Sequence, residues 1–408
     1  MTDFPRLLVA TEFSPNSKGG GGSGALMRQM LRGWPVEKLF WWGCFPERDE
    51  FFGQKTAAHR VALIPQKLYP QRRWRAQKSW LLEKFWVPRA ARHFQKTLEI
   101  FRPDAVWVHP HAWAIPPLAR TLPSAGVGFH VSMHDYMDDK EFGARFGVQR
   151  SSRFAAMADQ LYAAATTRDA ICRAMLDDLR QRTARDGSIN RAGLEQADFD
   201  YLAINPAPED GPLRIAYAGT IVVEREFELL VKALSQVRKQ LPRPLSLDFF
   251  GDHSYRSRSW FDPAWMNEQG SMPAAQLLGA LKECSWGFSP MALADDNPRY
   301  NRFSLPTKFV SYLSAGLPII TLGHPESTVV KMTSQYQVGL CFQGNDPENL
   351  RSRLLAGLSE HNPKIKYRAG IQRCALAEFD ARQMRAVLYE NFRKCASITR
   401  SQKAAGFS

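Results

Sequence analysis

Two kinds of residue in this chain have types and spacing suited to chemistry: glycines that bare the backbone, and histidines that close short apolar runs. Lys18-Gly19-Gly20-Gly21-Gly22-Ser23-Gly24 comes soon after the apolar run Arg6 to Ala10 and just before a helical pattern. Unpaired N–H groups at a helix start attract anions, and glycine lets a ligand approach the backbone closely. The loop is not a Walker A motif, since no Gly-Lys-Ser/Thr follows, and it is not a clean GxGxxG fingerprint. A plain flexible loop is the alternative reading. His109, His111 and His134 stand at or just beyond the ends of apolar runs, where an imidazole can contact a polar ligand or be satisfied by the main chain. His109 and His111 make a weak metal pair, because no third ligand can be named. Asp135, Asp138 and Asp139 offer carboxylates, but such a cluster equally suits a solvated turn or a helix cap.

The elements that must position these residues alternate. Short apolar runs are expected as strands at Arg6 to Ala10, Lys38 to Trp42, Ala105 to His109 and Gly128 to Val131, with helices starting near Gly24, Arg75, Ala112, Glu141 and Arg168. The pattern restarts at Leu213. Strands are expected at Arg214 to Ala218, Leu245 to Phe250, Trp286 to Phe288, Pro318 to Thr321 and Gly339 to Cys341, with helices from about Arg225, Pro273, Thr307, Glu326 and Pro347. This alternation implies an α/β protein with parallel sheets. Arg180 to Gly193 is expected to be a surface loop. Asn205 to Pro212, dense in proline and acids, reads as a linker between two domains, 1–205 and 206–380, with 381–408 a C-terminal helix returning to the first and ending in a flexible tail. Ligands of such sheets bind outside the carboxyl ends of the strands, so a cleft between two facing sheets is the expected site.

At 408 residues the chain exceeds the size at which a single core keeps growing, and 44% hydrophobic against 23% charged residues is a globular composition. No apolar run reaches membrane-spanning length, and the N-terminal stretch, with Asp3, is too short and too acidic for a signal-peptide core. The six cysteines are scattered without CxxC spacing, which suggests a reducing, cytoplasmic setting and no zinc. The net charge of +14 favours anionic partners. It concentrates between Lys67 and Lys96, where nine Lys and Arg named by that stretch face the single acid Glu83, interleaved with Tyr69, Trp74, Trp80, Phe85, Trp86 and Phe94. Residues 67–96 could meet an anionic membrane surface from the cytoplasmic side; a solvated helix with its aromatic rings in the core is the alternative. A nucleic-acid partner explains the charge but none of the strand-end motifs, and none is expected.

The order of motifs in the second half resembles the GT-B glycosyltransferases, in particular the large retaining family four. Tyr217-Ala218-Gly219-Thr220-Ile221-Val222-Val223-Glu224-Arg225 stands where that family has a strand ending in glycine and a basic pair for the donor diphosphate. Leu245 to Asp252, through Gly251, is similar to its next donor-side strand. Gly270-Ser271-Met272-Pro273 resembles the segment lying along the nucleobase. Pro306-Thr307-Lys308-Phe309-Val310-Ser311-Tyr312-Leu313-Ser314-Ala315-Gly316-Leu317-Pro318 looks like the family's PxK, helix and AxGxP element. Two departures stand out. Thr220 occupies the first basic position, and Ser311 the place of the glutamate that accepts the ribose hydroxyls; the earlier family glutamate falls at Phe303.

What the resemblance implies is a metal-independent GT-B enzyme of two Rossmann-like domains facing each other across a cleft. It moves a sugar from a nucleotide-diphosphate donor, with no other cofactor, to a glycan or lipid-linked acceptor, with retention, in bacterial surface-polysaccharide assembly. Arg225 and Lys308 would hold the diphosphate and His134 would contact the sugar. Gly20, Gly21, Gly22, Gly219, Thr220, Gly251, Gly270, Ser271, Thr307, Phe309 and Ser311 would border the donor. Asp198-Phe199-Asp200 spells the DxD of GT-A enzymes but lacks their layout, and is expected to be a chance match. A nucleotide-sugar epimerase and a catalytically silent GT-B binding protein remain the alternatives, the latter because of Ser311.

Overall fold

The computed structural model describes residues 4–12, 22–44, 58–69, 73–138, 140–204, 206 and 211–405. The chain divides into two compact units, Met1–Arg191 with Arg382–Ser408, and Ala192–Ala381. Each is built on one all-parallel sheet, as the alternating pattern requires.

The first unit's sheet has the order β3-β2-β1-β4-β5-β6-β7. Its strands are β1 (Leu7–Thr11), β2 (Leu39–Gly43), β3 (Ala58–Val61), β4 (Ala105–Val108), β5 (Phe129–Met133), β6 (Thr167–Ala170) and β7 (Ser188–Ile189). The central strands β1, β4 and β5 are buried at every residue, the signature of a sheet covered on both faces. The long helix Ala381–Ala405 packs on this unit. Thr399 Oγ accepts the Gly128 N–H at 2.8 Å, and the Phe392 ring lies 5.4 Å from Trp107 and 5.5 Å from Trp34.

The second sheet, order β10-β9-β8-β11-β12-β13, comprises β8 (Leu213–Ala218), β9 (Leu245–Phe250), β10 (Met266–Gly270), β11 (Trp286–Pro290), β12 (Ile319–Leu322) and β13 (Gly339–Phe342). Odd-numbered residues of β8 and β9, among them Ile215, Tyr217, Leu247 and Phe249, join Phe227, Leu230 and Leu234 of the helix Glu224–Val237 in one core. In both sheets the strand order reverses beside the first strand, at β1/β4 and at β8/β11, which is where a doubly wound sheet opens a ligand crevice.

Several expectations are corrected. Arg168 does not begin a helix but lies in β6, where its guanidinium caps the carbonyls of Tyr162, Ala165 and Asp186, and its neighbour Asp169 is buried against His130. The stretch 180–193 is not one loop: the helix Arg173–Thr183 runs into it and β7 follows. The division between units comes at Arg191/Ala192 rather than near 205, because the helix Gln196–Ala203 belongs with the second unit. There Arg368 and Gln372 donate to the Leu202 carbonyl and the Lys282 ammonium sits 3.7 Å from the Tyr201 ring centre. Most of the proline-rich stretch, residues 205 and 207–210, lies outside the described residues. The DxD pattern is part of this helix: Asp198 caps the Glu195 N–H at 2.8 Å and Asp200 accepts from Gln196 at 2.6 Å.

Candidate functional site

In the second unit the carboxyl ends of β8, β9 and β10 are tied together by main-chain hydrogen bonds. The Gly219 N–H donates to Phe250 O at 2.7 Å and the Gly251 N–H to Gly270 O at 3.0 Å. Gly219 turns the chain out of β8 with φ +92°, a left-handed conformation that disfavours any side chain. Beyond it, the Thr220 hydroxyl lies 3.3 Å from His253 Nδ1. This edge is therefore largely bare backbone with a few polar side chains on it.

Lys308 reaches this edge from the helix Thr307–Ser314. Its ammonium donates to the Tyr217 hydroxyl at 2.8 Å and sits 4.0 Å from the centre of the same ring. The Tyr217 hydroxyl donates in turn to Thr220 O at 2.9 Å. Burial lowers the Lys308 pKa to about 7, with no charged neighbour among the described residues to offset it. A half-buried ammonium whose partner is a neutral phenol is electrostatically incomplete, and an anion beside it would complete it.

The helix that carries Lys308 is fixed by Tyr312. The Tyr312 hydroxyl accepts the Ala218 N–H at 2.9 Å and faces Ala216 O and Phe288 O, each at 3.2 Å. Its ring lies over Gly287, where a Cβ would come within 2.5 Å of it. One phenol thus pins the helix across β8 and β11 at the point of strand reversal. Nearby at the end of β11, Ser289 Oγ is buried without a hydrogen-bond partner.

The first unit gathers three of its histidines, His109, His111 and His134, at or just beyond the carboxyl ends of β4 and β5. His111 Nδ1 is 2.6 Å from Glu12 Oε2. Burial opposes protonation of His111, but the Glu12 hydrogen bond and charge, aided by Asp135, outweigh it and raise the pKa. His109 and His134 meet edge to face at 4.6 Å. Burial lowers the pKa of both, most strongly for His109, against the pull of Asp169 and Asp135 on His134. His134 Nε2 has no hydrogen-bond partner. Among the described residues no three His, Cys, Asp or Glu side chains are grouped to hold a metal ion.

No protein-family model and no curated protein sequence matches the chain. Solved structures do. Sucrose-phosphate synthase from Thermosynechococcus elongatus superposes with a TM-score of 0.67 at 12% identity, over 95% of this chain and 98% of that one. The α,α-trehalose 6-phosphate synthase of Burkholderia multivorans gives 0.65 at 12% identity, over 98% and 99%. An E. coli structure described as trehalose-6-phosphate bound with UDP-2-fluoro glucose gives 0.61 at 10% identity, over 95% and 98%. The chain has the GT-B fold.

Against that fold, the residues singled out in the sequence divide into groups. Gly219, Thr220, Gly251, Gly270 and Lys308 share the one strand-end edge just described. Arg225 is exposed in the first turn of Glu224–Val237, and Ser271 and Thr307 are exposed next to Gly270 and Lys308. Phe309 offers a ligand nothing: its ring is fully buried, 6.1 Å from Phe379, and its N–H donates to Pro306 O. Ser311 Oγ is turned back onto Thr307 O at 3.2 Å within its own helix, and Phe303 is buried. Gly20 and Gly21 lie outside the described residues, and Gly22 opens the helix Gly22–Met30. Sequence reasoning passed over Tyr217, Tyr312, His253 and Glu12.

Proposed function

We propose that the chain is a glycosyltransferase that transfers a sugar, with retention and without a metal, from a nucleotide-diphosphate donor bound at the strand ends of the second unit. The observation that carries this reading is the Lys308 ammonium: half-buried, lowered to about pKa 7 and partnered by a phenol beside the Gly219 turn. A departing diphosphate needs cations and N–H donors at its oxygens. Lys308 supplies the cation, Arg225 a second at the helix start, and Thr220 and Thr307 supply hydroxyls. The E. coli fold neighbour is described with UDP-2-fluoro glucose bound, which favours a uridine nucleotide as the first donor to try.

The acceptor class, a glycan or lipid-linked glycan of bacterial surface-polysaccharide assembly at the cytoplasmic side, rests on the resemblance of the sequence motifs. A second reading has its own support: Ser311 is occupied by its own helix where a carboxylate would hold the ribose, which suits a protein that binds nucleotide sugars without turning them over.

Incubation with a panel of nucleotide sugars separates the readings. Donor hydrolysis or transfer that is lost in Lys308→Ala supports the transferase. Donor binding without turnover, across donors and acceptors, supports the silent protein. If no nucleotide raises the melting temperature, the donor site is wrongly placed.

A further inference from the structure

The helix Arg75–Leu81 runs through a π-helical turn, Leu82–Trp86, into the helix Val87–Phe101. Its inner side is ordinary core: Leu82, Trp86, Ala90 and Phe94 are buried, and Trp86 Nε1 donates to Leu63 O at 2.8 Å. The outer side is not. Trp80 and Phe85 are 52% and 60% exposed and meet edge to face with centroids 6.3 Å apart. They are five residues apart, a spacing that splays side chains on a regular helix. The π turn, with its i to i+5 hydrogen bonds, brings them onto one side while Leu82 and Trp86 keep their core positions.

One cation lies directly on this apolar pad. The Lys84 ammonium sits 4.7 Å from the Trp80 ring centre and 5.4 Å from that of Phe85. Arg73, Arg89 and Lys67 are exposed. The one acid of the stretch, Glu83, is already neutralised by Arg150 at 2.5 Å and Arg153 at 3.3 Å. Trp74, at the start of the same helix, is 60% exposed and held at φ +62°, a left-handed backbone that a bulky side chain disfavours.

We infer that Trp74, Trp80, Lys84 and Phe85 form a docking surface for an anionic lipid bilayer. Indole and phenyl rings settle at the bilayer interface, and the ammonium and guanidinium groups among them meet headgroup phosphates. The geometry disfavours nucleic acid. Bases stack on open ring faces, whereas Trp80 and Phe85 stand at 88° to each other with Lys84 over both. The inference is independent of the donor site, although a bilayer surface is where a lipid-linked acceptor would be presented.

The test is co-sedimentation of the full chain with vesicles of phosphatidylcholine alone and of phosphatidylcholine with about one third phosphatidylglycerol, at low and high salt. The expected result is binding to the anionic vesicles only, weakened by salt, and at least about tenfold weaker for Trp80→Ser with Phe85→Ser and for Lys84→Glu. All three side chains are exposed, so melting temperatures should match the parent. The melting-temperature response to nucleotide sugars should also be unchanged, which keeps a failure here separate from a failure of the donor site. The inference is overturned if the parent does not sediment with anionic vesicles, or if the double variant binds within about twofold of it. It is equally overturned if the substitutions abolish only binding to a single-stranded oligonucleotide, or only self-association of the chain.

Discussion

The Lys308 ammonium lies 2.8 Å from the Tyr217 hydroxyl and 4.0 Å from the centre of the same ring, so one tyrosine is both its hydrogen-bond acceptor and its π partner. Neither contact restores what burial takes away, and the pKa falls from 10.5 to about 7. The linkage sign follows. Between about pH 7 and 10.5 the unfolded chain holds this proton and the folded chain does not, so the lysine's contribution makes stability rise with pH through that window. An anion that needs the protonated form should bind worse as pH rises above about 7, by up to about tenfold per unit until the bound-state pKa is reached. Calorimetric titration with a nucleotide sugar, whose own phosphates do not titrate here, checks this. Proton uptake should appear at pH 8 when buffers of different ionisation enthalpy are compared, and should vanish in Lys308→Met. Affinity constant from pH 6.5 to 9 would sink the assignment.

Tyr217 acts on the donor edge through its ring, under the Lys308 ammonium, and through its hydroxyl, which accepts from Lys308 and donates to Thr220 O. Tyr217→Phe keeps the ring, 4.9 Å from Phe227 in the core, and removes both bonds. Each is worth about 1 kcal/mol or somewhat more where a charge is involved. The expected outcome is a donor KM about three- to tenfold higher with kcat changed much less, and a lower Lys308 titration midpoint in the pH profile. An unchanged profile would reduce Tyr217 to a core residue.

Much of the fold was legible because β1 and β4 are continuous apolar runs, buried on both sides, and β8, β9 and β11 are mostly apolar and mostly buried. The edge was not. β10, Met266-Asn267-Glu268-Gln269-Gly270, and β6, Thr167-Arg168-Asp169-Ala170, carry polar residues that pairing to a neighbouring strand holds extended. At the candidate site, Lys308 and Gly219 were singled out through the resemblance of their motifs, whereas Tyr217 and Tyr312 look like core aromatics until their hydroxyl partners are known. Those partners lie 91 and 94 residues away in sequence. Phe309 failed for the converse reason: a helix start suggests a free N–H, but Pro306 O already takes it.

Tyr312 is the element on which the Lys308 helix depends. Tyr312→Phe leaves the buried Ala218 N–H without its acceptor, at a cost of about 1–3 kcal/mol. Gly287→Ala drives a methyl to within 2.5 Å of the same ring, and repacking should cost at least as much, about 1–3 kcal/mol. Denaturant unfolding measures both. Because the two residues touch, the double variant Gly287→Ala with Tyr312→Ala should lose less than the sum of its single variants. Additive losses would mean that the ring and the glycine are not the contact that sets the helix position.

Glu12 and His111 are joined at 2.6 Å where β1 and β4, neighbours at the strand-order reversal, deliver their ends side by side. Burial alone would keep His111 neutral, so its raised pKa is the work of Glu12 first and of Asp135 second. A histidine whose folded pKa exceeds its unfolded value contributes stability that is complete below the unfolded pKa, near 6.5, and is lost as pH rises through the folded one. Glu12→Gln keeps the shape and removes the charge. The His111 midpoint should then fall, and the stability loss across that window should flatten. Histidine ring resonances followed by NMR from pH 5 to 9 report the first, and melting temperatures over the same range the second. His134, already lowered by burial, should shift little in the same variant, which separates a local effect of the Glu12 carboxylate from a general loosening of the strand ends.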